Sequence, residues 1–149
     1  MKLQEITSSL KVVGIVHSKY KTTTDAPRQG NDEISKIEIY KDYCEGLKDI
    51  DGFSHLHIIY WLHKSEGFST LVKTPWDDDL HGIFTTRTPH RPNPIGHSIV
   101  DLVKRKENIL TVKRLDAIDG TPVIDIKPYI KSLDIKENVK TGWMEKTKL

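Results

Sequence analysis

No part of this sequence carries a sustained helical period, and that feature narrows the possible folds most. The apolar residues come instead as short β-branched and aromatic runs, each closed by a turn signal. Residues 53–63 (FSHLHIIYWLH) form the clearest strand, rich in side chains that suit a pleated, half-buried surface. Residues 10–17 (LKVVGIVH) read as a buried strand, and 34–40 place Ile37 and Ile39 at period two. Residues 99–105 and 109–115 flank Glu107 and Asn108 as a hairpin would, and 123–126 return after an Asp119-Gly120 turn. Residues 42–47 allow a turn or two of helix, weakened by Gly46. Residues 18–30 read as a loop, 71–81 as a loop after a short strand, and the lysine-rich stretch 127–149 as partly loose. Many short strands between turns make an all-β barrel or sandwich with one or two short helices.

The chain has 149 residues, 36% hydrophobic and 30% charged, which fits one globular domain and excludes wholesale disorder. The formal charge of +2 supplies no global field toward nucleic acid, so RNA binding would need a local basic patch. A lone Cys44 rules out an internal disulfide framework or a four-cysteine zinc site. No apolar run approaches the roughly 20 residues of a membrane helix, and the N-terminus has no long apolar core of a signal peptide. The expectation is a cytoplasmic protein that neither crosses a membrane nor holds a metal.

Residues 82–98, GIFTTRTPHRPNPIGHS, are the most unusual stretch. Pro89, Pro92 and Pro94 fix their own φ and push Thr88, Arg91 and Asn93 toward extended geometry. A helix is excluded there and a central strand disfavoured. What remains is a stiff loop presenting Arg87, His90, Arg91 and Asn93, and polar groups held still lose less entropy on binding. A proline-stiffened connection with solvated arginines is the bland alternative.

Other clusters are weaker. Residues 26–30 (APRQG) set Arg28 and Gln29 after Pro27 in a loop. His55 and His57 would share one strand face, with His63 at the end of the run. Without an HExxH spacing they read as hydrogen-bonded structural histidines rather than metal ligands. The Asp77-Asp78-Asp79 run near His81 reads as a solvated acidic loop. DAIDGT at 116–121 is close to the DxDGT nucleophile motif of haloacid-dehalogenase-type phosphatases, but Asp116 lies one residue too early and Ala117 takes its place. There is no GxGxxG, Walker loop or GxSxG. The residues alone lead to a small β domain with a rigid basic loop for an anionic or polar ligand.

Four stretches in order carry more: GIVHSKYKTTTDAPRQG, LKDIDGFSHLHIIYWLHKS, GIFTTRTPHRPNPIGHSIV and DAIDGTPVIDIKPYI. Together they span roughly residues 12–130, and the chain resembles the TsaA-like, or TrmO, family of S-adenosylmethionine-dependent tRNA methyltransferases. The resemblance implies a small closed or partly open β-barrel in place of a Rossmann-like methyltransferase fold. It implies a homodimer with S-adenosyl-L-methionine near the subunit interface, and methylation of N6 of threonylcarbamoyladenosine at position 37 of tRNA. By motif, the cofactor positions carry over to Pro27, Arg28, Gln29, His63, Lys64, Arg87, His97, Ile118, Asp119, Gly120 and Thr121.

His97 stands where the family usually has an aliphatic residue. The chain 1–149 is expected to be one such barrel domain, without the extra C-terminal domain of longer relatives. Loss of a proton from N6 calls for a base or a water relay. Asp119, His90 and Tyr60 are the candidates, unranked by the sequence, while Arg91 or Lys64 would meet the threonyl carboxylate. A methyltransferase for another RNA or a small molecule, and a non-catalytic cofactor-binding module, are the competing readings.

Overall fold

The structure, a computed structural model, describes residues 9–26 and 31–147. Among them the strands are β1 (Gly14–His17), β2 (Ile34–Ile39), β3 (His55–Trp61), β4 (Leu71–Lys73), β5 (Leu80–Gly82), β6 (Ile95–Lys106), β7 (Ile109–Lys113) and β8 (Pro122–Pro128). One helical turn, α1 (Lys131–Asp134), and 3-10 segments at Lys41–Leu47, Ile50–Gly52, Ile83–Thr85 and Gly142–Lys146 accompany them. The chain forms two compact units, residues 1–64 with 95–129 and residues 65–94 with 130–149. The expected barrel is the first of these.

That first unit is a closed barrel in the order β1-β2-β7-β6-β3-β8, every pair antiparallel. Period-two patterning explains the closure. On β3, Leu56, Ile58 and Tyr60 turn inward while His55, His57, Ile59 and Trp61 lie on the outer face. Val16, Ile37, Val100, Leu110, Val112 and Val123 fill the rest of the interior, fully buried. Each such side chain contributes about 1.5–3 kcal/mol relative to exposure. The register shifts after Ile59 on β3 and after Leu102 on β6, the local bends a small closed barrel uses.

β1 is shorter than residues 10–17 suggest. Leu10 and Val12 are exposed, and only Val13 continues the pairing, donating its N–H to Val123 O and accepting from Tyr40 N. Gly14 is required where β1 meets β2, because a Cβ there would lie 2.4 Å from the Glu38 carbonyl oxygen. β6 starts at Ile95 rather than 99. Once Pro94 is passed every residue again has an N–H to donate, and Ile95 pairs with Trp61.

In the second unit, residues 71–82 correct the expectation of a loop after one short strand. β4 and β5 pair from Leu71↔Gly82 to Lys73↔Leu80. Their connection is held by Asp77, whose carboxylate accepts the Asp79 N–H at 3.2 Å and both oxygens of which meet His81 Nε2, at 2.8 and 2.9 Å. Residues 86–94 form neither helix nor strand, as the prolines require. Residues 127–147 are more ordered than expected: they hold the end of β8, α1 and the 3-10 segment at Gly142–Lys146.

Candidate functional site

Strand register gathers several of the barrel's motif residues at one rim. β1 ends there at His17, β3 at Trp61 and β7 at Lys113, while β6 and β8 begin there. The segment 116–121 crosses this rim and is laced to residues 16–21. Gly120 N–H donates to Val16 O at 2.8 Å, Asp119 N–H to Tyr20 O at 2.6 Å, and Ser18 Oγ to Ala117 O at 3.0 Å. Thr121 N–H and Oγ1 both donate to Ile118 O, at 3.2 and 2.7 Å. Gly120 has φ +81°, the left-handed conformation that only glycine adopts without strain. Ile118 and Thr121 are buried. The N–H donors of Asp119, Gly120 and Thr121 are therefore spent within the protein, as are the carbonyls of Ile118 and of Thr121, which accepts the Val16 N–H at 2.9 Å. What this turn offers a ligand is the carbonyl oxygens of Asp119 and Gly120.

Asp119 is clamped by the same lacing. Its Oδ1 accepts the Ser18 N–H at 3.0 Å and its Oδ2 meets Lys21 Nζ at 2.8 Å. The Lys21 ammonium, helped by the Ser18 N–H, holds the carboxyl below the usual aspartate range. A carboxylate so stabilised is a poor proton acceptor, which counts against Asp119 as the base.

Tyr60 fares no better as a base. Its hydroxyl donates to Asp116 Oδ1 at 2.7 Å and lies 3.0 Å from Ser98 Oγ, which itself donates to the same oxygen at 2.9 Å. Burial, and then the Asp116 charge, push the phenol well above its ordinary range. The side chain is a buried donor, which counts against Tyr60 as the proton acceptor. Its ring lies on Gly96, where a Cβ would approach Tyr60 Cε2 to 2.3 Å.

His63 follows β3, its N–H bonded to Trp61 O at 2.9 Å. Burial, with Lys64 beside it, lowers its pKa, so the ring stays neutral to lower pH than an ordinary histidine. Lys64 is exposed. His97 lies on the outer face of β6, exposed, with Nε2 2.8 Å from His57 Nδ1 and the two rings stacked at 5.1 Å. Tyr129 stacks on His57 from 5.5 Å. His55 on the same face meets Asp101 Oδ1 at 3.1 Å and Ser54 Oγ at 2.7 Å. Among the described residues no group of three or more metal-ligating side chains forms.

The second unit holds the stiff loop. Arg91 braces it: Nη1 donates to Thr86 O at 2.8 Å and Thr88 O at 3.3 Å. Ser65 Oγ donates to Pro89 O at 2.8 Å. His90 Nδ1 sits 3.2 Å from Glu66 O, which can only accept, so Nδ1 carries the proton and a neutral ring keeps its lone pair on Nε2. Ser65 Oγ stands 3.4 Å from the same Nδ1. Of the three candidate bases, His90 alone presents an exposed acceptor atom that neither burial nor a bound cation holds back. Arg87 is exposed, and among the described residues its guanidinium has no partner. Pro27, Arg28 and Gln29 lie outside the described residues.

The family model of the tRNA-methyltransferase O N-terminal domain matches residues 15–135. This chain belongs to the TrmO family. Within it, a probable S-adenosyl-L-methionine-binding protein of Archaeoglobus fulgidus is 48% identical over 138 residues, covering 91% of this chain and 38% of its own. A tRNA (adenine(37)-N6)-methyltransferase of Escherichia coli is 37% identical over 132 residues, covering 79% of this chain and 56% of its own. A solved crystal structure of TrmO superposes with a TM-score of 0.78 at 29% identity, over 92% of this chain and 64% of that one. The chain thus spans between about two fifths and two thirds of these TrmO relatives. Sequence reasoning missed Ser18 and Lys21, which fix Asp119, and Ser98 and Asp116, which hold Tyr60. Their partners are 18 to 101 residues away along the chain, a distance that no local motif reveals.

Proposed function

We propose that this chain methylates N6 of threonylcarbamoyladenosine at position 37 of tRNA, using S-adenosyl-L-methionine, as a homodimer in the cytoplasm. The observation that carries the reading is the 37% identity to the tRNA (adenine(37)-N6)-methyltransferase over 79% of this chain. The residues present suit the cofactor. Arg87 has a guanidinium open to a carboxylate. The carbonyls of Asp119 and Gly120 suit the amino groups of a nucleoside or amino acid. A neutral His63 adds no charge against a sulfonium. With Pro27, Arg28, Gln29, Lys64 and His97 these residues would hold it.

When bound, S-adenosyl-L-methionine supplies an electrophilic methyl carbon on a cationic sulfur. The protein's task is then to align the acceptor and take its proton, and alignment alone contributes roughly 7–11 kcal/mol. His90 Nε2 takes the proton of N6. The remaining N–H groups of Arg91, or the ammonium of Lys64, meet the threonyl carboxylate. The test is incubation of the purified chain with labelled cofactor and tRNA from cells lacking this methylation, followed by nucleoside mass spectrometry. The expected product is threonylcarbamoyladenosine one methyl heavier. Cofactor binding with no transfer to tRNA would overturn the reading, as would transfer to unmodified adenosine only.

A further inference from the structure

We propose that Phe84 is a stacking platform for an unstacked base of the RNA substrate. The inference rests on the tRNA reading above and names a contact for it. Phe84 is 82% exposed, more than any other large apolar side chain among the described residues, and has no ring partner there. An exposed phenylalanine is ordinary by itself; its mount is not.

Phe84 sits at the middle of the Ile83–Thr85 turn, between the buried Ile83 and Thr86. Thr86 N–H and Oγ1 both donate to Ile83 O, at 3.1 and 2.9 Å, and Thr85 Oγ1 donates to Gly82 O at 2.8 Å. From the chain's end, the Trp143 indole N–H reaches Thr85 O and Oγ1 at 3.2 and 3.1 Å. Trp143 in turn lies flat on His81, centroids 3.7 Å apart, and Asp77 fixes His81. The turn is pinned on either side of Phe84 while its ring is left uncovered. Two χ angles on a rigid backbone make a contact surface with little entropy to lose.

The surroundings point to nucleic acid. Residues 82–98 carry Arg87 and Arg91 and no acidic residue, and no large apolar residue follows Phe84 until Ile95. An exposed aromatic face on a positively charged stretch with no carboxylate to repel phosphate is how unstacked bases of single-stranded nucleotides are held. Phe68, Leu71 and Leu80 of the same unit are exposed as well, so contact between copies is the competing occupant, and the sedimentation arm of the test below separates it.

The experiment compares wild type, Phe84→Ala, Phe84→Leu and Phe84→Trp. It measures affinity for total tRNA, affinity for S-adenosyl-L-methionine by calorimetry, and mass by sedimentation. Stacking predicts that Ala and Leu both weaken tRNA binding about 10-fold, that Trp restores it, and that cofactor affinity and mass stay unchanged. Full recovery by Leu would overturn the proposal, because Leu is apolar without a π face. So would wild-type tRNA affinity in the Ala variant. A fall in mass in the Ala variant would assign Phe84 to contact between copies and overturn it too. A wild type that binds tRNA through Phe84 yet transfers no methyl group would sink the proposed reaction and leave this contact standing.

Discussion

Tyr60 ties the barrel's interior chemistry to its packing. Its hydroxyl and Ser98 share one Asp116 oxygen, and its ring needs the bare backbone of Gly96. Tyr60→Phe removes a donor to a part-buried carboxylate, so urea unfolding should show a loss of about 1–3 kcal/mol. The pH dependence has a definite sign. The unfolded phenol releases its proton near pH 10 and the folded one holds it higher, so above pH 10 the unfolded state binds fewer protons and wild-type stability falls. The slope from this group is about 1.4 kcal/mol per pH unit at most. The Phe variant should lack that part of the alkaline loss, and equal slopes in both proteins would refute the assignment. At His90 the expectation is kinetic: Asn should lower turnover by about 10²–10⁴-fold at unchanged cofactor affinity if Nε2 is the acceptor. Residue chemistry of this kind was half legible. The letters Tyr60, Asp119 and His90 name three plausible bases, and only their partners separate them. Those partners, Asp116, Lys21 and Glu66, are set by register and loop path, which a linear string does not display.

At the scale of elements, the proline loop divides its polar residues into two jobs. Arg91 braces the backbone through Thr86 and Thr88, while Arg87 is presented. Arg87→Ala should therefore cost about 10-fold or more in cofactor affinity, the loss of one charge-assisted contact, with no change in melting temperature. Arg91→Ala should do the reverse first: it releases two carbonyls, raises proteolytic sensitivity at 86–94, and weakens ligands only as a consequence. Arg91→Lys, with a point charge in place of a planar fork, should recover little. Equal effects of the two alanine variants on melting and affinity would remove the distinction. Stiffness here was readable from Pro89, Pro92 and Pro94 alone, since proline acts on the backbone locally. The β4–β5 hairpin was not, because its second strand is three residues long and is held by Asp77 and His81 rather than by an apolar pattern.

For the whole molecule, the all-β class was legible because period-two patterning decides which residues face inward on every strand. Closure into a barrel rather than a sandwich depends on which strands pair, which the pattern does not fix and only the family resemblance implied. The second unit was not, since no linker or change of composition marks residues 65–94. The two units differ in what holds them. The barrel buries a continuous set of Ile, Val and Leu, whereas the only large apolar side chain fully buried in the second unit, among the described residues, is Ile83. Stability that rests on one side chain and on exposed hydrogen bonds opens below the global free energy. Hydrogen exchange followed by mass spectrometry should then show β3, β6, β7 and β8 protected to the limit of global unfolding, and residues 65–94 exchanging sooner through their own opening. Ile83→Ala should remove about 2–5 kcal/mol, which is enough to leave the second unit open most of the time. Barrel peptides should keep wild-type protection in that variant. If barrel and insert instead lose protection together, the two units unfold as one cooperative body and Ile83 belongs to a common core. In the expected case the loop that carries Arg87, His90 and Phe84 stands on the less stable of the two units. Saturating tRNA should slow exchange there far more than in the barrel, because a ligand adds most protection where opening was cheapest.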